Sequence, residues 1–297
     1  MSEKFSRVGL IEQVSARLQQ ADVGYGHGTD NAHDEAAWLV LHALGLSPQE
    51  SLPDPERTVS LAELGRVEHL LQQRIATGKP LAYLLQSAWF CGLEFFVDER
   101  VIVPRSPIAE LIADEFSPWL PRAPRQVLDL CTGSGCIAIA CALMFPEAAV
   151  AASDISAEAL AVAAVNRKRY ELENRLQFYT ADVFNGIPRR EYDLLVSNPP
   201  YVDAADMAVL SSEYRQEPRL ALAAGADGLD IVRRILRDAQ HYLSADGLLV
   251  VEVGNSQPAL LAAFPQVPFV WPEFERGGDG VFVLTAEDLR THSDAFQ

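Results

Sequence analysis

The sequence is poor in cysteine and lacks long apolar runs. Its 297 residues include four cysteines, at positions 91, 131, 136 and 141, and no Cys-x-x-Cys pair. This spacing argues against a disulfide framework or a thiolate metal site, so the chain is expected in a reducing compartment, the cytoplasm. No apolar run reaches the roughly 18 residues of a membrane-spanning helix. Charges spread over residues 1–20 argue against a signal peptide and leave an amphipathic helix.

Basic residues are also scarce. The chain has 24 Lys and Arg against 41 Asp and Glu, a formal net charge of −17. A DNA-binding protein needs a basic stripe that neutralises phosphates, and the longest basic cluster, residues 166–169, is better explained as a solvated helix face. We therefore expect no DNA partner. An acidic surface instead favours a basic protein partner through electrostatic steering.

The first eighty or so residues have helical periodicity. Apolar side chains recur at helical spacing in three stretches, residues 10–18, 36–44 and 61–75, which predicts a small helical domain. Thr29 or Asp30 is expected to cap the second helix. The group His27, Asp30, His33, Asp34 and Glu35 has the composition of a metal site, but helix capping with acids in the first turn explains it better. No metal is expected.

A hairpin and a further helix follow the helical region. Aromatic residues alternate around Gly92 between Ala88 and Val97, which predicts a β-hairpin. Ser106 and Pro107 begin a helix predicted to run to about Trp119. These patterns divide the chain into a helical domain over 1–86, a hairpin linker over 87–104 and a larger domain over 105–297.

A glycine-containing turn follows the first buried strand pattern of the larger domain. Residues 127–130 are strand-like, the turn Cys131-Thr132-Gly133-Ser134-Gly135 follows, and an apolar helix begins at Cys136. Such a turn lets backbone approach a ligand closely and directs helix N-terminal N–H groups toward it. The sequence therefore predicts a ligand-binding loop here.

Two acidic residues end the next two strand patterns. Asp154 lies 19 residues after Gly135, the usual relation between a glycine loop and a carboxylate that holds a ribose. Asp182, followed by Val183, ends the next strand and is suited to an adenine edge.

The segment Asn198-Pro199-Pro200-Tyr201 directly follows the apolar run 192–197. Prolines have no N–H, so they add carbonyl acceptors at a fixed φ. Together with the side-chain carbonyl of Asn198 they can hold both donors of a planar NH2 group, such as a glutamine amide or the exocyclic amine of adenine. Tyr201 can cover one face of that group. In isolation the four residues would also fit an ordinary turn.

The strand patterns predict an α/β fold with a doubly wound, mostly parallel sheet. Its ligand crevice should lie at the carboxyl ends of the strands, where Gly133, Asp154, Asp182 and Asn198 all fall. Seven strands are predicted, near 126–131, 149–154, 176–181, 192–197, 247–253, 267–271 and 281–285.

These motifs in this order resemble the class I S-adenosylmethionine-dependent methyltransferases, whose Rossmann-like sheet has seven strands. The resemblance implies S-adenosylmethionine as cofactor, its methionine part at the glycine loop, its ribose at Asp154 and its adenine at Asp182 and Val183. The usual first glycine of the loop is Cys131 here, so the turn must accept a Cβ. A dinucleotide fold is disfavoured, because the third glycine of G-x-G-x-x-G is missing. The implied cofactor-binding residues are Asp129, Cys131, Thr132, Gly133, Ser134, Gly135, Asp154, Asp182, Val183 and Asn198.

Within that class, Asn-Pro-Pro-Tyr is shared by protein glutamine methyltransferases and DNA adenine N6-methyltransferases. Segments 78–85, 90–95 and 101–107 are similar to those that join the two domains of the HemK-type glutamine methyltransferases. Residues 105–112 resemble the ribosomal-protein branch of that family. The resemblance implies methyl transfer to a glutamine side-chain nitrogen of a basic protein, the third protein of the large ribosomal subunit. Its implied catalytic residues are Asn198, Pro199, Pro200 and Tyr201.

Three alternatives stay open at this point. A release-factor glutamine methyltransferase would share the chemistry, and a DNA adenine methyltransferase would share the motif but needs a basic groove. A non-catalytic cofactor-binding regulator would not need Asn-Pro-Pro-Tyr. The segment from Glu213 to Gly228 also resembles a family loop, and it either touches substrate or forms a polar connection.

Overall fold

Residues 5–85 are mainly helical, because apolar side chains recur at helical spacing and polar residues cap the helix starts. In this computed structural model, which describes residues 5–275 and 277–297, Ser6 caps the first helix and Ser60 with Glu63 forms a capping box at the third. The predicted helix over 1–20 begins at Arg7, and its residues 1–4 lie outside the described part. The helices are α1 (Arg7–Gln20), α2 (Ala32–Ala43), α3 (Leu61–Thr77) and α4 (Leu81–Leu85).

The cap of α2 differs from the prediction. Asn31, not Thr29 or Asp30, is the N-cap, and its side-chain oxygen accepts a hydrogen bond from the Asp34 N–H at 2.9 Å. Asn31 has extended backbone, which lets its side chain fold back onto the first turn.

The predicted hairpin is present. Strands β1 (Ala88–Phe90) and β2 (Leu93–Phe95) pair antiparallel. Cys91 and Gly92 between them both have positive φ, at 51° and 73°, as a tight two-residue hairpin turn requires.

The helix predicted from Pro107 to about Trp119 is shorter. Helix α5 covers Ile108–Ala113. It ends there because Glu115 and Phe116 adopt positive φ, and the Phe116 N–H donates back to the Leu111 carbonyl at 2.7 Å, closing the last turn.

The α/β region is built on one sheet with the strand order β5-β4-β3-β6-β7-β8, parallel except for β7 and β8. The order reverses between β3 and β6, which makes their carboxyl ends the expected ligand crevice. The strands are β3 (Gln126–Leu130), β4 (Ala149–Asp154), β5 (Leu176–Thr180), β6 (Tyr192–Ser197), β7 (Leu243–Glu252) and β8 (Val281–Thr285). The remaining helices are α6 (Cys136–Met144), α7 (Ala157–Arg169), α8 (Ala204–Val209), α9 (Asp230–Ala239), α10 (Gln257–Ala263) and α11 (Ala286–Thr291).

The fold class agrees with the prediction, but the seventh strand is wrong. Within the residues that the structure describes, the sheet has six strands, and the stretch 267–271 makes only an isolated bridge between Val270 and Val283. Pro268 has no N–H to donate, and the next N–H, of Phe269, folds back to the Val267 carbonyl at 2.9 Å. Regular pairing cannot extend through this stretch.

Two apolar clusters cover the two faces of the sheet. Alternate strand residues such as Val127 and Leu128 are buried on opposite faces, the first against α5, α6 and α7 and the second against α9, α10 and α11. The first cluster continues without interruption into the hairpin and helices α1 to α4. The helical region is therefore packed onto the sheet region through a shared core. Across the described residues, no helix has both the length and the apolar character that crossing a bilayer demands.

Candidate active site

The carboxyl ends of β3, β4 and β6 surround a cavity of about 320 Å³, within the roughly 300–1,000 Å³ of small-molecule sites. We call it the strand-end cavity. Hydrophobic lining residues, among them Ile102, Ile155 and Ile231, face a few polar groups there. The sequence-predicted residues that line it are Cys131, Gly133, Asp154, Asp182, Val183, Asn198 and Pro200.

Four other predicted residues lie around this cavity without lining it. Asp129 is fully buried and accepts hydrogen bonds from the Thr132 hydroxyl and, at 3.2 Å, from the Ala138 N–H. Burial raises its pKa to about 7. Ser134 is buried, and Gly135 begins α6 at a φ of 81°, where a Cβ would come within 3.1 Å of the Ala163 methyl. These residues shape the loop and seat its helix.

Two non-glycine residues in the cavity wall have left-handed backbone. Cys131 has a φ of 58° and Val183 a φ of 55°. Such values are uncommon outside glycine, and for a β-branched residue such as valine they are genuine outliers. Strained backbone of this kind persists only where the surrounding structure holds it, and it clusters at ligand sites. The turn therefore does accept a Cβ at Cys131, as the sequence requires.

The Asp154 carboxylate is held by backbone donors and retains free acceptor capacity. One oxygen accepts from the Gly133 N–H at 2.9 Å and the other from the Ser156 N–H at 2.9 Å. Burial raises the pKa of Asp154, and these N–H groups partly oppose that increase. A carboxylate has about four lone-pair sites, so it can still accept hydrogen bonds from a ligand in the cavity.

Asp182 is paired with a residue that sequence reasoning missed. Arg234 on α9 contacts its carboxylate at 2.8 Å and lowers the pKa of Asp182. Arg234 itself lines the strand-end cavity. Nothing in the sequence connects a helical arginine 52 positions downstream to a strand-end acid.

A second space, of about 600 Å³, adjoins the first. We call it the outer groove; Tyr25, Arg105, Asn198, Pro199, Tyr201 and Tyr214 are among the residues that line it. Asn198, Ile102 and Ala221 line both spaces. Asn198 thus lies at their junction, and no side-chain hydrogen bond to another described residue holds its amide.

Tyr201 is fixed at the wall of the outer groove. Its hydroxyl donates to Glu252 at 2.9 Å, and its carbonyl accepts from the Ser256 hydroxyl at 2.7 Å. Glu252 is buried at the end of β7 and also accepts a short hydrogen bond from Ser106. A Cβ on Gly254 would lie 2.6 Å from the Tyr201 ring, so glycine is required for this packing.

The segment after α8 separates the two spaces. Tyr214 lines the outer groove, Pro218 and Leu220 line the strand-end cavity, and Glu213 and Glu217 are buried. The sequence marks this loop but leaves open what it contacts. Its two buried glutamates contact the helical region. These residues are far apart in the chain, so no local sequence pattern indicates the contact.

The residues first considered as metal ligands are engaged otherwise. Glu35 is buried in an ion pair with Arg74, and His27 is buried between two carboxylates. Within ranges 5–275 and 277–297, no group of three or more His, Cys, Asp or Glu side chains is arranged to hold a metal.

Comparison with known proteins matches both regions. A family described as the methyltransferase small domain matches residues 110–213, and the PrmC N-terminal domain matches residues 10–85. The chain is 50% identical over 285 residues to the ribosomal protein uL3 glutamine methyltransferase of Bordetella pertussis, spanning 95% of each chain. It is 46% identical over 278 residues to the protein of the same name from Francisella tularensis, spanning 93% of this chain and 88% of the other. A methyltransferase structure from Pyrococcus furiosus overlaps 66% of this chain and 89% of its own, with 17% identity and a TM-score of 0.47.

Proposed function

The chain belongs to the ribosomal protein uL3 glutamine methyltransferases, and we propose that it transfers a methyl group from S-adenosylmethionine to the side-chain amide nitrogen of a glutamine in uL3. The position of Asn198 carries this proposal. It lies where the strand-end cavity meets the outer groove, so one side chain faces both a cofactor space and an acceptor space.

The strand-end cavity suits S-adenosylmethionine in its donor set. Asp154 would accept from the ribose hydroxyls with the lone pairs that Gly133 and Ser156 leave free. Val183 and Ile155 offer apolar surface to the adenine, with Asp182 at its edge. Cys131 and Gly133 would bound the methionine part. When bound, the cofactor supplies an electrophilic methyl group on a sulfonium sulfur.

The Asn-Pro-Pro-Tyr segment would hold the acceptor amide. An amide nitrogen is a poor nucleophile, because its lone pair is delocalised into the carbonyl. The side-chain oxygen of Asn198 and the carbonyl of Pro199 would accept hydrogen bonds from its two N–H groups and aim the nitrogen at the cofactor space. The same acceptors stabilise the positive charge that develops on nitrogen.

No strong base is needed before attack. The alkylated amide is very acidic, so its proton can leave after methyl transfer. Tyr201, fixed by Glu252 and packed on Gly254, would cover one face of the acceptor amide and keep water away from it. The Pro200 ring would close the floor between the two spaces.

The preferred substrate is the free uL3 protein or an early assembly particle. An enzyme with a net charge of −17 attracts a basic protein and repels exposed ribosomal RNA. The four cysteines form no disulfide within the described residues, which accords with the cytoplasm as the place of reaction.

Each of the three sequence segments has its own proposed role. Residues 1–86 would contribute to substrate recognition, 87–104 would link, and 105–297 would carry catalysis. The outer groove already includes Tyr25 from the first of these segments, which supports a role for the helical region at the acceptor side.

The deciding experiment is incubation with labelled S-adenosylmethionine and separate pools of ribosomal proteins, release factors and DNA. We expect label on uL3 alone, at a glutamine. Methylation of a release factor without uL3 would reassign the substrate and keep the chemistry, whereas label on DNA would overturn the proposal. Mature large subunits serve as the control for substrate accessibility.

A further inference from the structure

A buried network of charged residues joins the helical region to the segment 213–217. Arg74 on α3 is fully buried and contacts Glu35 on α2 at 2.8 Å and Glu213 at 2.8 Å. Arg105 makes two hydrogen bonds of 2.7 Å with Glu217. Breaking such buried pairs is strongly destabilising, because a lone charge stays in a low-dielectric interior.

His27 lies between these two ion pairs. Its Nδ1 is 3.2 Å from a Glu213 oxygen and its Nε2 is 3.3 Å from a Glu217 oxygen. Each of these contacts is an ion pair only when the imidazole ring is protonated. A neutral imidazole has one nitrogen without a proton, and that nitrogen would face a carboxylate lone pair. Only the imidazolium presents a proton to both glutamates.

The charge balance of the network also favours a protonated His27. Three carboxylates, those of Glu35, Glu213 and Glu217, face two guanidinium groups, those of Arg74 and Arg105. One positive charge is missing, and a protonated His27 supplies it. The Tyr214 ring packs against His27, and the Tyr25 hydroxyl, from the same segment as His27, interacts electrostatically with Glu35, Arg74 and Glu213.

The network reaches the outer groove through Tyr214. The Tyr214 ring packs on His27, with ring centroids 4.4 Å apart, and its face lies 5.1 Å from the Arg105 guanidinium carbon. A Cβ on Gly26 would approach the Tyr214 hydroxyl to 3.0 Å. Tyr214 lines the outer groove, so His27 and Arg105 set its position there.

We propose that His27 is a positioning residue: as an imidazolium it joins Glu213 to Glu217 and so holds Tyr214 in the wall of the outer groove, where the methyl acceptor binds. The inference rests on the proposed function of that groove. His27 itself is buried and lines neither the strand-end cavity nor the outer groove.

The direction of titration follows from the surroundings of His27. Burial lowers its pKa, but Glu213 and Glu217 raise it by more, and the net direction is upward although Arg105 opposes it. A group whose pKa is raised on folding stabilises the folded state below its unfolded value, about 6.5, and that stabilisation is lost as pH rises through the folded value. The network therefore weakens on the alkaline side.

The protonation state can be measured directly on the full-length protein. Nitrogen-15 NMR of the histidine rings, with His27 assigned through His27→Gln, should show both ring nitrogens protonated at pH values where an ordinary histidine is neutral. Glu213→Gln removes one carboxylate and should lower the His27 pKa. A neutral His27 ring at pH 7 in the wild-type protein would overturn the proposal, whatever the substrate.

A charge-restoring double variant tests the positioning role. His27→Gln should raise the KM for free uL3 by about tenfold, while kcat stays within about threefold, because Tyr214 loses its fixed position in the groove wall and Asn198 is untouched. His27→Gln with Glu213→Gln balances the charges again and should recover most of that loss. A double variant as poor as His27→Gln alone would refute the role.

The pH profile supplies the third readout. The wild-type kcat/KM for uL3 should fall on the alkaline side, and Glu213→Gln should lack that fall, because a neutral His27 then leaves the network balanced. His33→Gln, at a histidine whose side chain is 54% exposed, is the matched control and should keep the wild-type profile. Absence of any uL3 activity would count against the proposed function, while the NMR result would still decide the state of His27.

Discussion

Two residues in the wall of the strand-end cavity, Cys131 and Val183, have left-handed backbone. Cys131 stands where the related loops have glycine, and its φ of 58° carries a cost of roughly 1–2 kcal/mol for an L-residue. The cysteine was predicted to occupy the turn, but no feature of the sequence marks Val183 as a second such position. Backbone strain depends on the whole fold, so local propensity cannot reveal it.

At Asn198 we predict a loss of catalysis without a loss of cofactor. Asn198→Ala should keep S-adenosylmethionine affinity within a few fold and slow methyl transfer by ~10²–10³-fold, as when one preorganised group is removed from a charge-stabilising site. Calorimetry and single-turnover rates give the two values. Asn174→Ala, at an exposed turn, is the control, and near-normal turnover by Asn198→Ala would refute the assignment.

At Asp154 we predict weaker cofactor binding without a change in uL3 binding. Asp154→Ala should weaken S-adenosylmethionine binding by about 1.5–3 kcal/mol, the range for hydrogen bonds to a charged group. Asp154→Asn, which keeps one oxygen, should lose less. Binding of uL3 to the cofactor-free enzyme should stay near the wild-type value. Unchanged cofactor affinity in the alanine variant would move the ribose site elsewhere.

Asp129 gives a prediction for pH. Its pKa is about 7 in the folded protein and about 3.9 when unfolded, so between those values only the folded state holds the proton. The free energy of unfolding should therefore fall as pH rises through that window. Asp129→Asn cannot titrate at this position and should show a smaller slope than the wild type in denaturant unfolding. Equal slopes in the two proteins would contradict the assignment.

At the scale of elements, parallel strands and amphipathic helices were predictable and their connections were not. β3, β4 and β6 are buried apolar runs that each end at a distinctive turn, acid or motif, and their bounds agree with the prediction to within a residue. The predicted strand at 267–271 was wrong, because its apolar side chains fit a strand but Pro268 interrupts the hydrogen bonding between strands. Helix α5 is shorter than predicted because Glu115 and Phe116 adopt positive φ. Glutamate and phenylalanine rarely do so, and the sequence therefore contains no signal for the end of the helix.

The candidate site also has a part that the sequence predicted and a part that it did not. Glycine-loop and strand-end residues were predictable because parallel strands end at one edge of the sheet. The wall formed by Tyr214, Pro218 and Leu220 was not, since it depends on Glu213 and Glu217 meeting Arg74 and Arg105 from distant segments.

Helix α8 is expected to contact the acceptor. None of its side chains is buried, and Val209 at its end is 78% exposed beside the outer groove. Val209→Asp should raise the KM for uL3 by about fivefold, because even half-burying a valine contributes about 1 kcal/mol. The melting temperature and cofactor affinity should not change. Leu261→Asp, at an exposed site on α10, is the control, and an unaltered KM for Val209→Asp would exclude α8 from the interface.

At the scale of the whole molecule, net charge is expected to control how fast the enzyme associates with uL3. With −17 on the enzyme, kcat/KM for free uL3 should fall steeply between about 0.1 M and about 1 M salt, as the Debye length shrinks from about 10 Å to about 3 Å. The value of kcat should change little, since association is the affected step. Stopped-flow binding measures the rate, and efficient methylation of mature large subunits would contradict the electrostatic argument alone.

The meeting of the strand-end cavity and the outer groove at Asn198 has a pharmacological consequence. Two spaces that share Ile102, Asn198 and Ala221 as walls can be filled by one molecule, a nucleoside joined through a short bridge to a carboxamide. Tethering makes the second contact intramolecular, and its gain is set by effective concentration. Such a bisubstrate compound would inhibit this enzyme selectively, because a methyltransferase that has only the nucleoside space in common with it could engage just half of the ligand.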